Sequence, residues 1–191
     1  MERLKRVDPP YSEEVQASLD KLSLPGMAPL SLFRVLANNP RVLRRIQRGG
    51  LLDPGSISVR LRELVILRTC ALCGAEYEWG VHVKLFGAAA GLDEAMVRAT
   101  WLEGSASVLW AAPERLVLQL AEELHTTNHV SDALWENLAH HFEPAQLVEL
   151  IVLAGLYHAV SYVVNACKVP LEPWATRAPA ALSLTSSRAP A

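Results

Sequence analysis

The chain lacks the features that identify several common classes of protein. It has only three cysteines in 191 residues, an odd number that argues against a disulfide framework, and its N-terminus shows no secretory apolar segment. A formal net charge of −2 provides no overall attraction to nucleic acid or to an anionic membrane. Glycine-rich phosphate loops and a serine nucleophile elbow are also missing. We therefore expect a cytoplasmic protein that binds neither nucleic acid nor membrane.

Hydrophobic residues, in contrast, make up 51% of the chain, enough for one core in a single domain. No segment shows strand alternation, so apolar spacing and helix-start signals predict an all-α, multi-helical bundle. The helices are expected at about residues 13–22, 30–48, 58–72, 76–90, 93–102, 113–125, 131–141 and 144–167. Residues 1–27 are expected to form an arm with a short helix, 28–174 the helical domain, and 175–191 a flexible tail.

Residues 147–164 are apolar and long enough to be compared with a membrane span. Glu149, His158, Ser161 and Tyr162 lie within this segment. Such polar side chains are rare next to lipid, so they favour a helix buried in protein, partly at a subunit interface.

A cluster of polar side chains occupies residues 75–82, which read Ala-Glu-Tyr-Glu-Trp-Gly-Val-His between two apolar helical segments. Such groups are costly to bury unless they serve one another. If the chain turns at Gly74, Glu63 lies eleven residues before the turn and His82 eight after it. The helical rise then leaves these two residues at heights differing by about 4–5 Å across an antiparallel helix pair. Glu78, four residues before His82, shares its helix face.

At these residues the sequence resembles the carboxymuconolactone decarboxylase and alkyl hydroperoxidase D superfamily. The peroxidase branch of that superfamily has a glutamate, eleven residues, Cys-x-x-Cys, three residues and a histidine on a helix that ends in Gly-Leu. Glu63, His82 and the Gly-Leu pair at 91–92 match this spacing. Ala75 and Glu78 stand where the two cysteines would be, so the redox pair is absent from its usual place.

This resemblance, weaker but detectable over residues 30–172, implies an AhpD-like helical bundle that acts on a small organic acid, lactone or carbonyl compound. It implies proton transfer without a dissociable cofactor. His82 would move the proton and Glu63 would set its tautomer. Tyr77 or Glu78 would polarise or orient the substrate. The further candidates for substrate binding are Trp79 and Tyr157.

Two other functions stay open. A thiol-dependent antioxidant protein with peroxiredoxin-like activity would use Cys70 and Cys73. This pair closes a helix, where the dipole disfavours a thiolate, so core packing is its expected role. The third possibility is a non-catalytic assembly module, in which Glu63 and His82 would be a buried ion pair joining two helices.

No metal site is expected from the histidine spacing, because no pair of histidines has a known zinc spacing within one helix. Apart from His82, the histidines of the chain are His125, His129, His140, His141 and His158.

Self-association is expected from the amount of apolar surface. The long last helix is accompanied by Trp101, Trp110, Trp135 and Trp174. Together they are more apolar surface than a small helical monomer comfortably hides. The resemblance implies a trimer or a hexamer.

Overall fold

The computed structural model describes residues 2–180, and within that range all regular secondary structure is helical. The helices are α1 (Glu13–Leu22), α2 (Ser31–Leu36), α3 (Pro40–Arg48), α4 (Val59–Leu72), α5 (Glu76–Phe86), α6 (Glu94–Leu102), α7 (Ala112–Thr127), α8 (Asp132–His141) and α9 (Pro144–Cys167), with a 3-10 turn at Gly104–Ala106. The all-α prediction is confirmed. The side chains of Asp93 and Ser131 cap α6 and α8 as their sequence positions predict.

Helix α4 lies at the centre of the fold and packs against α5, α6, α7 and α9. Leu64, Val65, Ile66 and Leu67 are all completely buried. Four consecutive buried positions cover the whole circumference of a helix, so α4 is surrounded by protein. Any polar group on this helix must therefore find its partners inside the protein.

The single helix predicted over 30–48 is wrong, because the chain breaks between α2 and α3. Pro40 has no N–H to donate and disfavours helical backbone at the residue before it. The side chain of Asn39 accepts a hydrogen bond from the Val42 N–H and starts α3. Helix α5 also stops at Phe86 rather than at residue 90.

Both ends of the described chain contribute to the bundle. Helix α1 packs against α3 and buries Val15 and Leu19 in the core. Near the other end, the N–H of Thr176 donates to the carbonyl of Gly80 at 3.2 Å. A side chain at position 80 would collide with the backbone of Thr176, so the close approach requires glycine. The flexible tail was predicted for 175–191, of which 181–191 lie outside the described residues.

Helix α9 is the one helix among the described residues whose length and composition would suit a membrane span. A long helix in the core of a helical protein can have the same length and composition. Helix α9 packs against α4, α7, α5 and α8. Its outward face is apolar, with Val148, Val152 and Tyr162 between 53% and 65% exposed. One side of α9 thus builds the core and the other presents an apolar surface.

Candidate active site

The predicted turn at Gly74 is confirmed. Gly74 has φ +60, in the left-handed region that glycine adopts without steric cost. The N–H of Ala75 donates to the carbonyl of Cys70 at 2.8 Å, which closes the end of α4. The chain reverses here, and α5 packs back along α4.

His82 on α5 is held by hydrogen bonds through both of its ring nitrogens. Nδ1 lies 2.8 Å from Oε2 of Glu63 on α4. Nε2 lies 3.0 Å from the hydroxyl of Tyr157 on α9 and 3.5 Å from Oε1 of Glu78. His82 is 3% exposed and Glu63 is fully buried. The structure therefore brings together four of the six residues predicted for the site.

Arg62 is a member of this cluster that the sequence analysis did not identify. Its Nε and Nη2 lie 2.9 and 2.8 Å from Oε1 of Glu63. Its Nη1 donates to the carbonyl of Leu52 at 2.8 Å and so fixes the loop 49–58. The only available signal was an arginine on a helix predicted to be buried, since a buried guanidinium requires an acidic partner.

The electrostatics of the cluster favour the protonated form of His82. Burial lowers the pKa of His82, but the hydrogen bonds and charges of Glu63 and Glu78 outweigh burial and raise it to about 9. Burial also raises the pKa of Tyr157, so its phenol stays neutral. Because Arg62 and His82 are matched by two carboxylates, the four charges balance inside the protein.

A cavity of about 540 Å³ opens beside His82 and Glu78. Most of its walls are apolar side chains from α1, α2, α3, α5 and loop 49–58, including Phe33, Leu52 and Phe86. Exposed charged residues also line it, namely Lys21, Arg48 and Asp53. We call it the His82 cavity. A largely apolar space with a few converging polar groups is the usual form of a small-molecule site.

Of the two glutamates in the first turn of α5, Glu78 is the one that lines this cavity. It is 7% exposed, and its Oε2 has no hydrogen-bond partner among the described residues. Glu76 instead accepts a hydrogen bond from the N–H of Ala178. A carboxylate that lines a cavity and leaves one oxygen without a partner can rotate to accept a hydrogen bond from a bound molecule.

Two of the predicted site residues, Tyr77 and Trp79, lie away from the His82 cavity. The hydroxyl of Tyr77 accepts from the Leu32 N–H at 3.1 Å and donates to Glu172 at 2.8 Å. The indole of Trp79 donates to Thr100 at 3.0 Å and packs against Trp101. Consecutive residues on a helix differ by about 100° in direction, so the neighbours of Glu78 face other elements.

Tyr157 takes a different position from the one expected of it. Its hydroxyl contacts His82, but the side chain does not line the cavity. Its direct role in this geometry is to position the imidazole.

The cysteine pair at the end of α4 is not arranged as a reactive dithiol. Cys70 is fully buried and Cys73 is partly buried. Burial raises the pKa of both thiols, whereas a nucleophilic cysteine needs a lowered pKa. The complete burial of Cys70 agrees with the packing role expected from the sequence.

Comparison with known proteins gives a family match over part of the chain. Residues 40–123 match the model of the carboxymuconolactone decarboxylase family. The matched segment contains Arg62, Glu63, Glu78 and His82. No curated protein sequence matches the chain significantly.

Solved structures resemble the chain over nearly its whole length. The AhpD core of a peroxidase-related protein from Ralstonia eutropha JMP134 aligns with 90% of this chain and 93% of its own, at 14% identity and a TM-score of 0.77. A peroxidase-related protein from Silicibacter sp. TM1040 aligns with 90% and 92%, at 18% identity and a TM-score of 0.77. The debrominase Bmp8 aligns with 91% and 92%, at 18% identity and a TM-score of 0.67.

At such identities the structural matches establish the fold, and the family match covers the segment with the Glu63 and His82 pair. The helical architecture and that segment agree with the superfamily spacing found in the sequence. Residues 40–123 are therefore similar to the carboxymuconolactone decarboxylase family, and the described chain shares the fold of the AhpD core of a peroxidase-related protein.

Proposed function

We propose that this chain is an acid–base enzyme that acts on a small organic acid, lactone or related carbonyl compound in the His82 cavity. The observation that carries the proposal is the position of His82. One ring nitrogen is fixed by a fully buried carboxylate, and the residue lines a largely apolar cavity together with Glu78, whose Oε2 is buried without a hydrogen-bond partner among the described residues. Pairs of groups with shifted pKa values in a cleft are typical of proton-transfer sites.

Each member of the cluster has a role in this reaction. Protonated His82 donates a proton to substrate carbon, for example to the carbon that keeps the electron pair when a C–C bond breaks and carbon dioxide leaves. Glu63 stabilises the imidazolium and fixes its ring orientation, as a buried carboxylate does for other catalytic histidines. Arg62 holds Glu63 in place, and Tyr157 positions the other side of the ring.

The substrate class follows from the cavity. Its apolar walls suit a compact carbon skeleton, and Lys21 and Arg48 provide positive charge for a carboxylate. A small rotation of the Glu78 carboxylate toward the cavity would let it accept a hydrogen bond from a hydroxyl or enol of the substrate. One neighbour, the debrominase Bmp8, has a variant structure in complex with 2,3,4-tribromopyrrole, a compact ring compound of the size that we propose.

Proton transfer to carbon can be tested without knowing the natural substrate. Lactone acids, β-keto acids and cyclic ketones would be incubated with the protein in D₂O and followed by NMR. We expect deuterium to enter carbon, with or without loss of carbon dioxide, and to disappear in His82→Gln. Glu76→Gln is the matched control, because Glu76 lies on the same helix but contacts Ala178. Exchange that persists in His82→Gln would contradict the proposal.

The second candidate is a thiol-dependent peroxidase using Cys70 and Cys73. The observation that favours it is the thiol of Cys73, whose Sγ lies 3.9 Å from Nδ1 of His125. The raised pKa of both thiols opposes it. We expect no hydroperoxide turnover with a dithiol reductant. Robust turnover that vanishes in Cys73→Ser would favour this second function over the first.

We also propose that the chain forms a homo-oligomer through the outward face of α9, most simply a trimer or hexamer. Val148, Val152 and Tyr162 form an exposed apolar stripe there. Trp110 is buried, so it adds nothing to the exposed apolar surface, whereas Trp135 is exposed. The α9 stripe is therefore the main apolar surface that we propose for self-association. Light scattering at micromolar concentration should show the oligomer, and Val152→Lys should weaken it. A monomeric wild-type protein would refute this proposal.

A further inference from the structure

Cys73, His125 and His158 meet outside the His82 cavity, although they come from three different helices. Cys73 ends α4, His125 lies near the end of α7, and His158 lies in the middle of α9. Nδ1 of His125 lies 2.9 Å from Nε2 of His158 and 3.9 Å from Sγ of Cys73. All three ligand atoms lie within 4.8 Å of one another.

We propose that Cys73, His125 and His158 form a Zn²⁺ site with one coordination position left for a water molecule or a small ligand. Thiolate sulfur and imidazole nitrogen are the ligands that zinc prefers in proteins. Three protein ligands with an open fourth position are typical of zinc sites that bind or activate a further molecule, whereas structural sites have four.

The orientation of His158 suits metal binding. Its Nδ1 lies 3.1 Å from the carbonyl of Ala154, so Nδ1–H donates there. This hydrogen bond leaves the lone pair of Nε2 directed at the cluster. A backbone carbonyl that holds the remote nitrogen is a usual companion of a zinc-ligating histidine.

The spacing of the ligand atoms fits a tetrahedral ion. Zinc bonds of roughly 2.0–2.1 Å to nitrogen and 2.3 Å to sulfur place two nitrogens about 3.3 Å apart and a nitrogen and sulfur about 3.6 Å apart. The distances here, 2.9 and 3.9 Å, lie on either side of these values. Small side-chain rotations would therefore admit the ion, and the Cys73 thiol would release its proton to solvent as the bond to zinc forms.

The surroundings leave a route to the fourth position. A groove of about 290 Å³ runs beside His158 and is lined by Asn128, Gly155 and Tyr162. The positive charge of Arg68, which lies near His125, is offset by Glu122, whose Oε1 accepts from Arg68 Nε at 2.7 Å.

Cobalt is the probe of choice, because a thiolate bound to Co²⁺ gives a charge-transfer band and tetrahedral Co²⁺ absorbs strongly in the visible. Protein dialysed against a chelator would be titrated with Co²⁺ and then with Zn²⁺. We expect one Co²⁺ per chain, a thiolate band, and displacement of cobalt by zinc. Failure to bind one equivalent, or a spectrum without the thiolate band, would overturn the proposal.

Variants identify the ligands. Loss of groups that only support a metal ligand typically costs about 10–100-fold in affinity, so His125→Gln and His158→Gln should each cost at least tenfold. Cys73→Ser should remove the thiolate band. Cys167→Ser, another partly buried cysteine, and His140→Gln, an exposed histidine, are the matched controls. Equal binding by all of these proteins would contradict the assignment.

A measurement on the unaltered protein keeps the proposal testable if a variant does not fold. Cysteine alkylation would be followed by peptide mass spectrometry with and without one equivalent of Zn²⁺. Zinc should slow the alkylation of Cys73 and leave that of Cys167 unchanged. Identical alkylation of Cys73 with and without zinc would overturn the site.

Discussion

His82 is buried and His125 is only partly buried, and their environments shift their pKa values in opposite directions. Glu63 and Glu78 outweigh burial at His82 and raise its pKa to about 9. At His125, burial, His158 and Arg68 all lower the pKa. One imidazole therefore carries a proton at neutral pH, and the other keeps a free lone pair. The fold thus creates an acid in one cluster and a ligand for a cation in the other.

We call Glu63, Glu78 and His82 the first cluster, and Cys73, His125 and His158 the second. The largest expected effect comes from removing His82, the titrating group of the first cluster. His82→Gln keeps much of the size and hydrogen bonding of the side chain but cannot exchange a proton. If His82 is the general acid, turnover should fall on the order of 10²–10⁴-fold, with little change in melting temperature. Steady-state kinetics and thermal unfolding of the same preparations measure both quantities.

The opposite pattern would identify Glu63 and His82 as a structural ion pair. Removing one partner of a buried pair typically costs roughly 3–5 kcal/mol, since the other charge is left uncompensated. A His82→Gln protein that melts many degrees lower, yet converts substrate normally when cooled, would show that the pair only joins α4 and α5.

Glu63→Gln should reduce the difference in pKa between His82 and His125. Without that carboxylate the pKa of His82 should fall, and Arg62 loses the acceptor for two of its nitrogens. We expect the free energy of unfolding to drop by roughly 3–5 kcal/mol, measured by urea denaturation. NMR titration of His82 reports its pKa, and Glu76→Gln is the control. An unchanged His82 titration would remove Glu63 as the cause of the raised pKa.

The two histidines should also give opposite dependences of stability on pH. A raised folded pKa means that His82 stabilises the fold fully below its ordinary value of 6.5, and that this contribution is lost as pH rises through about 9. The lowered pKa of His125 means that its neutral form is favoured in the fold, so stability is lost as pH falls below 6.5. Unfolding free energies of His82→Gln and His125→Gln, each subtracted from wild type between pH 5 and 10, should show these two slopes. Slopes of the same sign would contradict the opposite pKa shifts of His82 and His125.

The sequence could predict the first cluster better than the second for a physical reason. Glu63, Glu78 and His82 lie on consecutive helices joined at Gly74, so the helical rise alone sets their relative height. Cys73, His125 and His158 lie on three helices that are distant in sequence, and no local periodicity relates them. Their meeting depends on how α7 and α9 pack around α4.

The same distinction explains the other differences between expectation and structure. The contact of Tyr157 with His82 joins residues 75 positions apart, and only tertiary packing defines it. The directions of Tyr77 and Trp79 depend on which neighbours surround α5. The break at Asn39 and Pro40, in contrast, had a clear local signal in the sequence, an N-capping residue followed by proline.

The smallest expected effect tests whether the two clusters are independent. Tyr157 and His158 are adjacent on α9, but the first contacts His82 and the second contacts His125. Tyr157→Phe removes one hydrogen bond to Nε2 of His82, a loss of about 1 kcal/mol, so turnover should fall roughly fivefold. Tyr162→Phe, on the exposed face of the same helix, is the matched control for turnover. Co²⁺ affinity at the second cluster should stay within about twofold in Tyr157→Phe, because contacts that share no partner contribute almost additively. A parallel loss of turnover and of Co²⁺ binding would show instead that a shift of α9 couples the two clusters into one.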